Sequence, residues 1–226
     1  MKLAPNSVNV ALELLAERRY ADFARRCMGL IYDQRVALGL RRDLEIPLIA
    51  PKAKIPIRIR AFEESDLPVL LDENQPGLAR KEMVEIRTRR AHHEAAIPTC
   101  YVAVDETTGS PCYFQWLMGP SQNAKIQSFF PAQWFPVLQE NEALLENAYT
   151  PVAYRGNGIM SAAMALIAER AVDLGCRYVI TFVERDNVPS LRGCRKSGFS
   201  PYLVRTENRF LLNLVKRRRF EEFREG

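Results

Sequence analysis

The stretch LENAYTPVAYRGNGIMSAAM (145–164) limits the fold of this chain more than any other. Leu144–Thr150 reads as a strand and the residues from about Ile159 to Leu174 as a helix. Its buried stripe is Ile159, Ala162, Ala163, Leu166, Ile167 and Ala171, with Gly175 as the C-terminal stop. Between them, Gly156 and Gly158 bracket Asn157, so the loop can turn tightly and aim several backbone N–H groups at one spot. Such a spot favours an anion, and Arg155 adds a charged fork for a phosphate oxygen. Neither GxxxxGK[ST] nor GxGxxG occurs, which disfavours a nucleoside triphosphatase loop and a dinucleotide fold. Another pyrophosphate carrier is required.

The remaining segments alternate strand and helix signals. Residues 8–38 carry apolar positions at three- and four-residue steps (Val8, Ala11, Leu14, Leu15, Phe23, Cys27, Leu30, Ile31) and predict amphipathic helix, broken near Arg18–Tyr20. IPLIAPKAKIPI (46–57), with three prolines, reads as a linker. Ile55–Arg60 predicts a strand, and Ser65 or Asp66 an N-cap. Residues 77–95 predict a charged, solvent-facing helix on which His92 and His93 lie at the surface. Tyr101–Asp105 and Cys112–Met118 predict a hairpin in which Cys100 and Cys112 are core. Residues 119–141 are irregular, with Phe129, Phe130, Trp134 and Phe135 as either an aromatic-anchored loop or a substrate wall. Tyr178–Val183 predicts a strand covered on both faces. A helix over about 188–197 and a strand pair at 201–206 and 208–214 follow.

Composition fits one domain with an extension. The chain has 226 residues, 47% hydrophobic and 26% charged, with five scattered cysteines and two histidines. These values exclude a disordered or collagenous chain and argue against a disulfide framework or a zinc site. The net charge of +5 is concentrated in residues 1–60, where twelve Lys/Arg face six Asp/Glu, so it does not argue for nucleic acid. The tail KRRRFEEFRE (216–225) reads as a solvated, fraying end. No apolar run is long enough to span a membrane and no signal-peptide core is present, which makes a cytoplasmic protein the expectation.

Four stretches in this order resemble the GCN5-related N-acetyltransferase (GNAT) superfamily: RIRAFEESDL (58–67), ENAYTPVAYRGNGIM (146–160), ITFVERDNVPSLRGCRKSGF (180–199) and the final strand pair. The resemblance implies an α/β (α+β) fold with a mixed, mostly antiparallel sheet flanked by helices. That sheet is splayed between two strands so that acyl-CoA wedges in the gap. It divides the chain into an N-terminal helical extension (1–54), an acyltransferase domain (55–215) and a basic C-terminal tail (216–226). Tyr149 and Thr150 would hold the acyl and pantetheine end of acetyl-CoA. Arg155, Gly156, Asn157, Gly158, Ile159 and Met160 would hold the pyrophosphate, and Asn187 would face the cofactor. No metal is implied. Met160 stands where the family has Gly or Ala, and Cys194 where it has a Tyr near the leaving thiolate.

Acyl transfer to an amine needs a base and an acid. Glu146 is the candidate base, because Glu146, Ala148 and Thr150 alternate onto one strand face and many family members carry a Glu there; Glu142 and Glu140 are weaker choices. Cys194 is the candidate acid, against a plain buried residue, with Tyr154 and Tyr202 as substitutes. The reaction expected is transfer of acetyl from acetyl-CoA to a primary amine of a small molecule, sugar or peptide. Two alternatives stand beside it. One is an N-acyl amino acid or acyl-homoserine-lactone type synthase taking long chains from acyl-CoA or an acidic acyl carrier protein. The other is a non-catalytic acyl-CoA sensor. A homodimer is a family-level expectation.

Overall fold

The computed structural model describes residues 20–21, 32–74, 78–210 and 214–224. Eight strands form one sheet: β1 (Tyr32–Asp43), β2 (Ile57–Ala61), β3 (Cys100–Asp105), β4 (Pro111–Met118), β5 (Glu142–Tyr149), β6 (Tyr178–Glu184), β7 (Ser200–Phe210) and β8 (Val215–Glu222). Their order is β2-β3-β4-β5-β6-β1-β7-β8. Every pairing is antiparallel except β5–β6, which is parallel. The helices are α1 (Leu67–Leu70), α2 (Arg80–Glu94), α3 (Asn123–Phe129), α4 (Ile159–Glu169) and α5 (Val188–Lys196).

The sheet is covered on both faces. Along β4, Tyr113 and Leu117 join a cluster with Ile159, Ala163 and Ile167 of α4, while Phe114, Trp116 and Met118 join a second with Leu70, Ile86 and Ile126 from α1, α2 and α3. All eight residues of β4 are therefore buried, and so is most of β6. A strand buried on both faces has no polar side to display, which is why these runs read as continuous apolar sequence.

Several expectations change. The segment 32–38, read as helix, is the first half of β1, which inserts between β6 and β7. The three- and four-residue steps end at Ile31, and residues 32–38, only one of them buried, show too little apolar alternation to read as strand. At Gly39 an added Cβ would lie 2.9 Å from Phe182 Cε1, so a second ring already fills the space a side chain would need. Of the rest of the predicted helix only Tyr20 and Ala21 are described, both helical, while Phe23, Cys27, Leu30 and Ile31 lie outside the described residues. The tail expected to fray is β8, paired with β7 from Leu203↔Glu222 to Phe210↔Val215. The strand pair expected at 201–206 and 208–214 is displaced: β7 runs unbroken from Ser200 to Phe210, through the expected turn at Glu207, and its partner β8 starts at Val215. Residues 119–141 contain α3, and His92 is 5% exposed rather than on the surface. His92 Nδ1 donates to Thr88 O at 2.7 Å, and its ring packs on Phe129, Phe130 and Trp116. Burial holds its pKa below the ordinary histidine value. Asp66, 2% exposed, serves less as a helix cap than as the partner of Arg60 at 2.6 and 2.7 Å.

Candidate functional site

Strands β5 and β6 pair only at Glu142↔Tyr178, Ala143↔Val179 and Leu144↔Ile180. Beyond Leu144 they part. A bulge in β5 accompanies the opening: Trp116 faces Glu146 but Phe114 faces Tyr149, and Asn147 takes φ 63°. A non-glycine residue in that region is uncommon, and Asn is among those that tolerate it best. The bulge also breaks the alternation expected of β5. Leu144 belongs to the cluster with α1–α3, whereas Ala148 packs against the α4 cluster, so residues of one parity end on opposite faces.

Glu146 bridges the gap. Its Oε1 accepts from Phe182 N (2.8 Å) and Thr181 Oγ1 (3.3 Å) of β6, and its Oε2 from Asn147 N (3.3 Å). The carboxylate thus takes over the N–H of Phe182 that the splay leaves without a strand partner. Burial pushes its pKa up to about 7, opposed by the Phe182 N–H, the Arg205 charge and the remaining donors.

Two cavities meet at this opening. One, of about 270 Å³, is lined by Glu146, Asn147, Phe182, Trp134, Arg205 and Cys194, among others. The other, of about 620 Å³, is lined by Tyr149, Thr150, Arg155, Gly156, Gly158, Ile159 and further residues. Ala148, Met160, Asn187, Ser190 and Arg89 border both. Ten of the eleven residues singled out from sequence therefore line one or other cavity. The exception is Asn157, whose Nδ2 donates to Tyr154 O at 3.1 Å while its carbonyl accepts Lys54 N at 2.8 Å. That side chain braces the loop from within.

The loop has the geometry its glycines suggest. Gly156 and Gly158 adopt φ 80° and 72°, and α4 begins at Ile159 immediately after. Arg155 Nε donates to Thr150 O at 3.0 Å, which folds the loop back on the end of β5. Its Nη1 lies 2.6 Å from Glu82 Oε1 of α2. Asn187 caps α5, accepting Ser190 N at 3.3 Å. Met160 sits over Gly193 of α5, where an added Cβ would come within 3.2 Å of its sulfur. The larger residue at the helix start is accommodated by the absence of a side chain opposite.

Cys194 is 1% exposed, with Sγ 3.7 Å from Met164 Sδ, and burial pushes its thiol up to about 12. Such a thiol gives up a proton far less readily than an ordinary one near 8.5. Tyr202 borders a separate cavity with Arg41 and Tyr178, away from Glu146. Tyr154 lines the larger cavity of the site. Glu142, at the paired end of β5, accepts Gln139 N at 3.1 Å and lies outside both cavities, as does Glu140.

Three residues escaped the sequence reading, and a fourth was undecided. Arg89 of α2, its side chain 11% exposed, donates from Nη2 to Ala148 O (2.8 Å) and lies over the Tyr149 ring at 4.8 Å. Glu82 holds Arg155. Arg205 of β7, 4% exposed, donates to Trp134 O at 2.8 Å, ion-pairs with Glu184 at 3.2 Å and lies 3.8 Å from the Trp134 ring centre. Trp134 was left open between anchor and substrate wall; it lines the smaller cavity and is gripped from β7 and β8, since Arg218 also lies over its ring and donates to Ala132 O. The usable signal for α2 was the spacing of Glu82, Glu85 and Arg89, which places them on one helix face.

Among the described residues no helix is long and apolar enough to cross a membrane, and no group of three or more His, Cys, Asp and Glu is placed to hold a metal ion. No curated protein matches the chain. Among solved structures, a GCN5-related glucosamine N-acetyltransferase region of a fungal multi-domain beta-N-acetylglucosaminidase is similar with TM-score 0.53 and 15% identity, over 84% of this chain and 22% of that one. A functionally unknown conserved protein from Staphylococcus epidermidis is similar with TM-score 0.50 and 9% identity, over 82% and 65%. This chain thus spans less than two-thirds of either, and the likeness concerns the fold. Residues 124–199, which run from α3 through the splay, the glycine loop and α5, match the model of the Acetyltransferase (GNAT) family. The parted seam at Glu146 lies within that match, so this part of the chain, residues 124–199, is the one that carries the GNAT acetyltransferase pattern.

Proposed function

We propose that this protein is an N-acetyltransferase that moves acetyl from acetyl-CoA to a primary amine. The observation that carries the reading is Glu146: a carboxylate with a pKa raised to about 7, in the wall of the smaller of two cavities that meet in the splay. The larger cavity suits CoA, because it runs from the parted edge of β5 to the start of α4. Backbone groups of Tyr149 and Thr150 would pair with the pantetheine amides in the manner of an added strand. Arg155 and the amides from Gly156 to Met160 would take the pyrophosphate at a helix N-terminus, with Asn187 on the opposite wall. Bound acetyl-CoA supplies the activated acyl carbon as a thioester.

The chain's own contribution starts from Glu146. An amine arriving in the smaller cavity is mostly ammonium and cannot attack until a proton leaves. A carboxylate titrating near 7 is ionised often enough at neutral pH to take that proton and basic enough to hold it. Trp134, Phe135 and Phe182 wall this cavity, and its size suits a small amine or a peptide terminus. Cys194 fits the role of a cavity wall better than that of an acid, because its thiol titrates well above a leaving thiolate. Tyr154, on the cofactor side, is the hydroxyl we assign to returning the proton to sulfur. The acyltransferase module extends from Tyr32 to Glu222, since β1 and β8 belong to the same sheet as the site.

Titration calorimetry with CoA, followed by a panel of primary amines with acetyl-CoA and thiol detection, tests the reading. Saturable CoA binding and amine-dependent thiol release are expected. Absence of CoA binding would overturn it.

A further inference from the structure

Arg155 is the cation assigned to the pyrophosphate, and within the protein it already holds an anion. Its Nη1 lies 2.6 Å from Glu82 Oε1, and Glu82 is itself restrained, with Oε2 accepting the N–H of Ala79 at 3.3 Å and only 17% of its side chain exposed. Glu82 belongs to the face of α2 that also presents Glu85 and Arg89 to the cofactor cavity. The carboxylate therefore stands beside the place where the cofactor's negative charge must come to rest.

We infer that Glu82 is an internal stand-in for the pyrophosphate, a residue that sets which diphosphates the cofactor site accepts by occupying Arg155 until a ligand displaces it. The inference rests on the acyl-CoA reading of the site. A diphosphate reaching Arg155 must exchange with Glu82, and a carboxylate that stayed in place would repel it. A ligand that brings only a diphosphate meets this cost with few other contacts. CoA offsets it, because its pantetheine arm pairs with the parted edge of β5. Glu82 thereby raises the concentration at which nucleoside diphosphates can occupy the site, and eases the departure of product CoA.

Calorimetry of CoA, ADP and pantetheine against the wild type, E82Q, R155A and the E82Q/R155A pair tests this. E82Q keeps the shape of the side chain and removes its charge; E82A checks that the retained amide does not itself hold Arg155, and thermal melting confirms that each variant is folded. The expected result is that E82Q and E82A bind CoA and ADP about threefold to tenfold more tightly, the scale of a partly exposed ion pair plus relief of repulsion. Pantetheine, which lacks the diphosphate, is expected to bind as to the wild type, and the gain from E82Q should vanish in the R155A background. Unchanged or weaker CoA and ADP binding by E82Q overturns the inference, as does an equal gain for pantetheine or a gain that survives R155A. Failure of the underlying reading looks different: the wild type then binds no CoA, or R155A binds it as well as the wild type does.

Discussion

The two halves of the β5–β6 seam are made by the same two strands and held by different means. From Glu142 to Leu144 the seam is a parallel backbone ladder between residues that are mostly buried, Leu144 and Ile180 among them. From Leu145 onward the ladder is absent, and what joins the strands is one carboxylate, Glu146, reaching the N–H of Phe182. The first half is indifferent to pH. The second is held by a group that titrates within the working range, so the element that keeps the cleft open is also the one equipped to move a proton.

That contrast can be broken most forcefully at Glu146. E146Q is expected to lower turnover about 100-fold or more, the usual scale for a general base. Wild-type turnover should rise as pH passes through about 7 and level off above it, because the ionised form is the active one. A pH–rate profile of E146Q should lack this limb; a retained limb would assign the base elsewhere. In the paired half, Ile180→Ala removes a fully buried side chain and is expected to cost about 2–4 kcal/mol in chemical denaturation. CoA affinity of the folded variant should stay within about twofold of the wild type, and a larger loss would mean the two halves are not separable.

A smaller effect is expected at the bulge. Asn147→Val places a β-branched residue at φ 63° and should cost about 1–3 kcal/mol while weakening CoA binding, whereas Asn147→Gly should keep both properties. Equal behaviour of the two variants would remove the bulge from the account. The smallest effects lie in the pH dependence of stability. Glu146 has a raised pKa, so its contribution to stability is full below its ordinary value near 4.5 and is lost as pH rises through about 7. His92 has a lowered one, so its contribution is full above the ordinary histidine range and is lost as pH falls. Urea midpoints measured across pH 4–8 should lose the first of these slopes in E146Q and the second in H92L.

Legibility in the sequence followed locality. Gly156, Gly158, Arg155 and the stripe of α4 sit close together along the chain, and their pattern pointed directly to the residues that line the larger cavity. The parted strands came from the family resemblance, while the bulge at Asn147 was hidden, because a positive φ leaves no periodicity to read. Arg89 and Glu82 looked like surface charges on a polar helix. Their roles depend on where α2 docks, which is a property of the tertiary fold. β1 was misread for a different reason: its first half is largely exposed or half-buried and carries little alternation, so the helical spacing that ends at Ile31 was carried across it. Cys194 lines the smaller cavity, but only burial reveals how reluctant its proton is.

The insertion of β1 between β6 and β7 bears on how the molecule is made. Ala37 lies opposite Glu184 on one side and Arg205 on the other, so this strand waits for partners that follow it far along the chain. Such distant pairings close slowly. On the ribosome, Tyr32–Asp43 has no sheet to join until β6 and β7 have been translated, and until then its backbone edges are unpaired. Assembly of this sheet therefore includes the late capture of a strand made well before its neighbours.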